Sequence, residues 1–190
     1  MKAITNSEYD SHFDLCKKLI FALEPFLYSK TVKKNKILLT EGYKCRNIYF
    51  VLQGAVKQYY LSDGKEFIQN FYFDGNMASH FNSFLTQTPS DSFLEAIEGT
   101  ALKVLSYHNF QKLCIASPQF SRHLSVCVSK MNLHRVNLLL LSDAMLRYKK
   151  FLAEEPNVER RVPQYMIASY LGITAETLSR IRKRISINAA

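Results

Sequence analysis

A ten-residue stretch near the end of the chain combines one carboxylate with several cations at helical spacing. Glu176 and Arg180 are four residues apart, so a helix places their side chains on one face. On such a face an arginine can donate to guanine O6 and N7, a carboxylate can accept from cytosine N4, and neighbouring cations can meet phosphates. The residues expected to face a DNA duplex are Thr174, Ala175, Glu176, Ser179, Arg180, Arg182 and Lys183. The alternative interpretation is a basic helix face that is merely solvated.

Two helical patterns separated by a glycine position that stretch. The first covers residues 164–171 and the second covers residues 173–183. Gly172 between them accepts a left-handed backbone conformation, and Thr174 can cap the second helix through its hydroxyl. The apolar residues expected on the buried side of the pair are Ile167, Leu171, Ile173, Leu178 and Ile181. This arrangement predicts a helix-turn-helix.

The charge distribution favours a polyanionic partner at the same end of the chain. The 190 residues carry a formal net charge of +9, with a pI near 9.4. Residues 146–190 contain nine Lys or Arg against four Asp or Glu, a net +5, whereas the first 145 residues contain sixteen against twelve, a net +4. The positive charge is therefore densest where the helix-turn-helix pattern lies.

Cysteine spacing and hydropathy indicate a reduced, cytoplasmic protein. The four cysteines are widely spaced with no C-x-x-C pair, which argues against a zinc ribbon and against a secreted disulfide scaffold. The longest strongly apolar stretch, residues 136–141, is far shorter than the roughly 20 residues of a membrane span. The acidic residues near the N-terminus argue against a signal peptide. We expect no metal site and no membrane partner.

The first 117 residues have the pattern of a β-domain preceded by a helix. Residues 11–28 show helical apolar spacing. Five short runs rich in β-branched and aromatic residues then follow between glycine turns, at residues 37–39, 48–52, 55–61, 67–73 and 102–107. A glycine turn about every ten residues predicts a β-sandwich or barrel. The clearest hairpin turn is Asp63-Gly64, because Gly64 accepts the positive φ of a primed turn.

A long helix is predicted over residues 118–145. Its apolar residues recur at intervals of four and three, as in a coiled-coil seam. We expect this seam to form the interface of a parallel homodimer through Phe120, Leu124, Cys127, Met131, His134, Leu138 and Leu141, with Met145 continuing the same spacing. The alternative is a long helix that packs only on the chain's own β-domain. Apolar surface beyond the seam favours the dimer, because it lets one helix face both the β-domain and a partner helix; it comes from Leu133, Val136, Leu139 and Leu140.

Residues 161–183, RVPQYMIASYLGITAETLSRIRK, resemble the DNA-binding helix-turn-helix of Crp/Fnr-type transcription regulators. The resemblance extends over the chain, because Gly42, the run from Ile48 to Gly54, Phe73-Asp74-Gly75 and Pro118 fall where that family places its β-roll and dimer helix. It implies an α+β fold with a jelly-roll-like sensor domain at residues 1–117, a dimerisation helix at 118–145 and a DNA-binding domain at 146–190. Because few residues follow the recognition helix, we expect little or no wing.

The resemblance also implies roles for individual residues. Glu176 and Arg180 occupy the positions from which family members contact bases, whereas Ala175 stands where an arginine is often found. The corresponding effector segment contains Ser79, His80, Asn82, Asp91 and Ser92, and Asp91-Ser92 stands where cyclic-nucleotide-binding relatives have an arginine that neutralises the phosphate. An aspartate there repels a phosphate, so we expect no control by cyclic AMP.

No other family cofactor is predicted. An iron–sulfur regulator needs several cysteines near the N-terminus, and only Cys16 is there. We predict a homodimeric DNA-binding transcription regulator that acts on a palindromic operator under an unidentified signal, with RNA polymerase as a further partner implied by the resemblance. The alternative is a ligand-binding or interaction module with a structural helical tail. A cupin-type enzyme is disfavoured because the β-region has no H-x-H pair.

Overall fold

The computed structural model describes residues 23–188. After a short 3₁₀ turn at Glu24–Phe26, the strands are β1 (Leu27–Val32), β2 (Ile37–Leu39), β3 (Asn47–Gln53), β4 (Val56–Ser62), β5 (Lys65–Tyr72), β6 (Met77–Ala78), β7 (Phe93–Ala96) and β8 (Thr100–Ser106). The helices are α1 (Phe81–Thr86), α2 (Tyr107–Ala116), α3 (Pro118–Leu140), α4 (Ala144–Glu154), α5 (Val158–Arg161), α6 (Gln164–Leu171) and α7 (Ala175–Asn188). The helix predicted for residues 11–28 lies outside the described residues up to residue 22, and residues 27–28 begin β1 instead.

The strands form two four-stranded antiparallel sheets, as the spacing of the glycine turns predicted. One sheet has the order β1-β8-β3-β6 and the other has the order β2-β7-β4-β5. A first hydrophobic core is built on these strands and includes Ile48, Phe50, Leu94, Leu102 and Leu105, each at most 2% exposed. The fold class predicted from the sequence, a β-roll followed by helices, is confirmed.

The β4–β5 hairpin has the turn that its sequence requires. Asp63 and Gly64 have φ values of 50° and 71°, and Ser62 pairs with Lys65 directly across the turn. Two successive residues with positive φ are the signature of a type I′ turn, whose twist matches that of the flanking strands. The Asp-Gly dipeptide therefore closes this hairpin for a local steric reason.

The long helix is shorter than the sequence pattern suggested. Helix α3 ends at Leu140, and Leu141 adopts an extended conformation with φ −64° and ψ 120°. The Asp143 side chain then accepts a hydrogen bond from the Met145 N–H at 2.9 Å and caps the separate helix α4. A strong N-cap at Asp143 favours a new helix start over continuation, so Leu141 and Met145 do not extend the seam.

Most of the predicted dimer seam packs inside the chain itself. Phe120, Leu124 and Cys127 are buried in the first core against the β-domain, and Leu138 is buried in a second core. Met131 and Leu141 are partly buried against these two cores, and His134 pairs with Glu154 of α4 at 3.1 Å. The structure therefore contradicts the prediction for the four buried residues, each at most 7% exposed, because the chain's own cores cover them. Contact of Met131, His134 and Leu141, which are partly exposed, with a partner helix stays a prediction.

The second core joins the sheet β2-β7-β4-β5 to the C-terminal helices. The Phe71 ring lies with its centroid 5.2 Å from that of Tyr170 in α6, and Phe151 of α4 lies 4.8 Å from the same tyrosine. Ile68 in β5 donates its N–H to the Ser169 hydroxyl at 2.9 Å. The helix-turn-helix is thus docked on the outer face of β5.

No helix in residues 23–188 combines the length and apolar character that crossing a bilayer requires.

Candidate functional site

Helices α6 and α7 meet at a glycine turn whose geometry sets their crossing. Gly172 ends α6 in the left-handed region at φ 65°, and its N–H donates to the carbonyls of Ala168 and Ser169. Ile173 donates to the same Ala168 carbonyl at 3.0 Å, which satisfies the last carbonyls of α6. The Thr174 hydroxyl accepts from the Thr177 N–H at 3.1 Å and caps the first turn of α7, as predicted.

Helix α7 has one buried face and one face open to solvent. Leu178 and Ile181 are 0% and 6% exposed and pack against the buried Ile167 and Leu171 of α6 in the second core. The other face presents exposed residues of the predicted DNA-reading set, namely Thr174, Ala175, Glu176, Ser179, Arg180 and Lys183. The structure therefore brings Glu176 and Arg180 together on one accessible helix face, in the arrangement that base reading requires.

Arg182 is the exception within the predicted set. Its Nε donates to a Glu159 carboxylate oxygen at 2.9 Å, and the Tyr148 hydroxyl donates to the same carboxylate oxygen. Burial together with this carboxylate raises the pKa of Tyr148, which keeps the phenol protonated as a donor. Arg182 thus joins α7 to α4 and α5 and is less exposed than the rest of the predicted set, and its contact with DNA stays a prediction.

The cations outside α7 also fall into two groups, those exposed to solvent and those bonded within the chain. Arg160 and Lys149 are exposed, so their charges are accessible to a phosphate. Arg161 instead turns toward the β-domain, where its guanidinium bonds to Asp74, Glu98 and the Gly54 carbonyl. Arg161 is therefore held by the β-domain and is not free to contact a phosphate in this arrangement.

The predicted effector segment is split by the structure. Ser79, His80 and Asn82 line a cleft of about 570 Å³ between β5, the middle of α3 and the turn at Gly172. Asp91 and Ser92 do not line this cleft: Asp91 is largely exposed and its carboxylate lies 2.7 Å from His80 Nε2, and Ser92 is buried with its hydroxyl accepting from Gln58. His80 also caps α1, because its Nδ1 accepts the Ser83 N–H at 3.1 Å.

The sequence analysis missed Arg135, which enters the cleft from α3. Its NH2 donates to the Tyr170 carbonyl at 2.6 Å and its guanidinium lies 3.9 Å from the centroid of the Tyr170 ring. Its NH1 is buried without a hydrogen-bond partner, as is Oε1 of Gln69 in the same cleft. Burial lowers the pKa of the Arg135 guanidinium. The sequence offered one signal, an arginine within the largely apolar run of residues 133–141.

Comparison with known proteins agrees with this organisation. The family model of the cyclic nucleotide-binding domain matches residues 29–117, which span β1 to α2. The chain is 24% identical over 170 residues to the anaerobic regulatory protein of Haemophilus influenzae, in a match that covers 82% of this chain and 65% of that protein. The chain therefore spans slightly less than two thirds of the length of that relative.

Two solved structures share the fold over most of both chains. FixK2 from Bradyrhizobium japonicum superposes with a TM-score of 0.73 at 24% identity, covering 86% of each chain. A protein from Eubacterium rectale described as of the Crp/Fnr family superposes with a TM-score of 0.65 at 21% identity, covering 91% of this chain and 83% of that one. With a β-domain that matches the cyclic nucleotide-binding domain, a long helix and a helix-turn-helix, this chain is similar to Crp/Fnr-type proteins over most of its length and shares their fold.

Proposed function

We propose that the protein is a transcription regulator that binds a palindromic DNA operator as a homodimer and responds to a small-molecule effector. The observation that carries the proposal is the exposed pair Glu176 and Arg180 on α7, whose opposite face is buried in a helix-turn-helix. A fork of donors and a carboxylate one turn apart can read adjacent base pairs in the major groove. The function is regulatory, involves no catalysis and is exercised in the cytoplasm.

The dimer proposal moves from the predicted seam to the opposite face of α3. Val126, Leu133 and Leu140 recur every seven residues and Val136 falls between them; these four side chains are 45%, 60%, 74% and 51% exposed. An exposed apolar row at this spacing fits a parallel two-helix seam. A second copy packed there would place two recognition helices about one helical turn of DNA apart, roughly 34 Å.

The aromatic edge of the β4–β5 hairpin supports the same partner. Tyr60 and Phe67 stack with ring centroids 5.3 Å apart, and both remain more than one third exposed. They line the same cleft as Leu139 of α3. The hairpin aromatics therefore add exposed apolar side chains to those of the helix row, and both can contribute to the surface that a second chain covers.

The cleft beside α3 is the proposed effector site. Ser79, His80 and Asn82 contribute hydroxyl, imidazole and amide groups, and Arg135 and Gln69 contribute buried polar atoms without partners. A buried polar atom without a hydrogen bond is costly, so a ligand or water that satisfies it gains free energy. Because Arg135 also bonds to Tyr170 in α6, occupancy of the cleft can reach the DNA-binding helices through this residue.

Selection of bound fragments from genomic DNA tests the proposal directly. Purified protein is incubated with sheared DNA, with and without cell extract, and the retained fragments are sequenced. We expect enrichment of an inverted repeat with half-site centres about ten base pairs apart. The matched control is the double variant Glu176→Ala/Arg180→Ala, which should lose the repeat. Retention without a shared sequence in the wild-type protein would instead favour a ligand-binding module with a structural helical tail.

Contact with RNA polymerase is proposed as the route to activation. Transcription from a promoter carrying the selected operator should rise when the protein is added to purified polymerase. A fall in transcription would assign repression by occlusion of the promoter.

A further inference from the structure

Three turns of the β-domain converge on one side chain of the C-terminal region. Gly54 follows β3, Asp74 follows β5 and Glu98 follows β7, so these residues belong to three separate turns. Arg161, the last residue of α5, reaches all three. Two residues separate Arg161 from the start of α6, the first helix of the helix-turn-helix.

The guanidinium of Arg161 uses nearly its full set of donors in this contact. NH1 donates to Asp74 Oδ2 at 2.8 Å, and NH2 donates to the Gly54 carbonyl at 2.7 Å. Nε and NH2 both donate to Glu98 Oε1, at 3.0 and 2.6 Å, and the group lies 5.1 Å from the centroid of the Phe73 ring. Four hydrogen bonds fix the orientation of the planar guanidinium, whereas a single surface ion pair leaves it free to turn.

The electrostatics of the contact agree with its geometry. Burial by itself lowers the pKa of the Arg161 guanidinium, but its hydrogen bonds to Glu98 and Asp74 and the charges of those carboxylates outweigh burial and leave the pKa raised. The positive charge is thus stabilised in place by the β-domain.

The acceptors of Arg161 are also held by contacts within the β-domain. Asp74 Oδ1 accepts the Gly54 N–H at 2.6 Å, which ties two of the turns together. Gly54 has φ +111°, and a Cβ at this position would lie 2.6 Å from the Thr100 hydroxyl oxygen and 2.7 Å from the Thr100 Cα. Glycine is therefore required for the turns to approach this closely, and the approach aligns the acceptors.

We infer that Arg161 is a positioning residue that fixes the orientation of the helix-turn-helix on the β-domain and thereby the distance between the two recognition helices. This inference rests on the proposed function of a dimer on a palindromic operator. Helical structure is interrupted at residues 141–143, 155–157 and 162–163, so the chain path alone leaves the orientation of α6 open. Docking leaves Glu176 and Arg180 exposed, so the docked state is competent to read DNA.

The first experiment measures tolerance to operator geometry. Wild type, Arg161→Gln and the adjacent control Arg160→Gln are titrated with the selected operator, with operators whose half-sites are one or two base pairs closer or farther apart, and with a single half-site. We expect the wild type to bind the correct spacing with about tenfold higher affinity than the altered spacings. In Arg161→Gln this ratio of affinities should fall to about twofold. Half-site affinity should stay within about twofold, because the base-reading face is intact.

Arg160→Gln provides the contrast on the same short helix. Its exposed side chain can touch a phosphate, so its loss should weaken binding to every spacing alike and leave discrimination unchanged. Arg161→Lys keeps the positive charge but lacks the planar guanidinium, so it should retain only part of the discrimination between operator spacings. Full discrimination in Arg161→Gln would overturn the inference.

The second experiment needs no DNA. Ile68 donates its N–H to Ser169 across the docked interface, so hydrogen exchange of residues 65–72 reports whether α6 stays on β5. We expect exchange at Ile68 to accelerate about tenfold in Arg161→Gln and to remain unchanged in Arg160→Gln. Unchanged exchange in both variants would overturn the positioning role.

The two experiments separate the inference from the proposed function. A wild-type protein that binds no specific DNA contradicts the proposed function, and accelerated exchange in Arg161→Gln would still establish the docking contact. If Arg161→Gln fails to fold, Asp74→Asn removes one acceptor from the opposite side of the contact and should produce the same two effects in weaker form. Unaltered exchange and spacing preference in a folded Asp74→Asn protein would contradict the inference.

Discussion

Arg182 in the recognition helix donates from Nε to a Glu159 carboxylate oxygen at 2.9 Å. Glu159 lies in α5, and the Tyr148 hydroxyl of α4 donates to the same carboxylate. One carboxylate therefore joins three helices of the DNA-binding region. Arg182 thus holds α7 against its neighbours, whereas Arg180 and Lys183 of the same helix are exposed to solvent.

Replacing Arg182 by Gln should lower stability without changing base preference. The ion pair is about one third exposed, so we expect a loss of no more than about 1 kcal/mol in the free energy of unfolding, measured by urea titration. Operator discrimination should be retained because Arg180 is untouched. If the variant instead loses discrimination at one base pair while its free energy of unfolding is unchanged, Arg182 contacts that base pair.

Replacing Arg180 by Ala should reduce specific binding. If its fork reads a guanine, affinity for the operator should fall by about 1–3 kcal/mol and discrimination at that base pair should disappear. Lys183→Ala serves as the comparison. Loss of a phosphate contact lowers the affinity for every DNA sequence alike, and it reduces the slope of log K against log[salt] by about one. Equal losses on operator and random DNA would make Arg180 a phosphate contact.

Introducing charge on the exposed row of α3 should separate the dimer. Leu133→Asp/Leu140→Asp would bury like charges between two helices, so we expect monomers with native circular dichroism and weak operator affinity. Gln111→Asp, at an exposed position of α2, should remain dimeric. Sedimentation velocity distinguishes the two results, and an intact dimer in the double variant would place the interface elsewhere.

Cyclic AMP at millimolar concentration should not stabilise the protein. Residues 77–92 contain no Lys or Arg, and the cation that does line the cleft, Arg135, is bonded to the Tyr170 carbonyl and stacked on the Tyr170 ring. A ligand at 100 times its Kd adds about 2.7 kcal/mol, which thermal unfolding detects easily. A saturable stabilisation that Arg135→Gln removes would contradict this prediction.

The free energy of unfolding should decrease above pH 10, partly because the buried Tyr170 phenol resists ionisation in the folded protein. Burial raises the pKa of this phenol to about 12 in the folded protein, against a partly opposing effect of the Arg135 charge. Because the unfolded phenol ionises near pH 10, the folded state binds more protons between these values and stability decreases as pH rises from 10 to 12. The loss is on the order of 2–3 kcal/mol. Urea unfolding of Tyr170→Phe should show a shallower alkaline decline, and an identical decline would remove Tyr170 from this role.

Local patterns in the sequence determined which secondary elements form at the site. The alternation of apolar and polar residues, together with glycine at Gly64 and Gly172, predicted the β-domain and the helix-turn-helix, because periodicity and positive φ depend on near neighbours. The sequence also predicted that Glu176 and Arg180 are exposed, because the spacing of the apolar residues shows which side of α7 is buried. Whether these residues contact DNA remains a prediction.

Only the tertiary structure decided which partner each remaining group meets. The seam through Leu124 and Cys127 has the same spacing whether a partner helix or the β-domain covers it, and periodicity cannot choose between these surfaces. Arg135, Arg161 and Arg182 likewise bond to groups that lie 35, 63 to 107 and 23 positions away. A cation is drawn to whichever carboxylate or carbonyl the fold brings within about 3 Å, and that proximity is a property of the packed chain rather than of neighbouring residues.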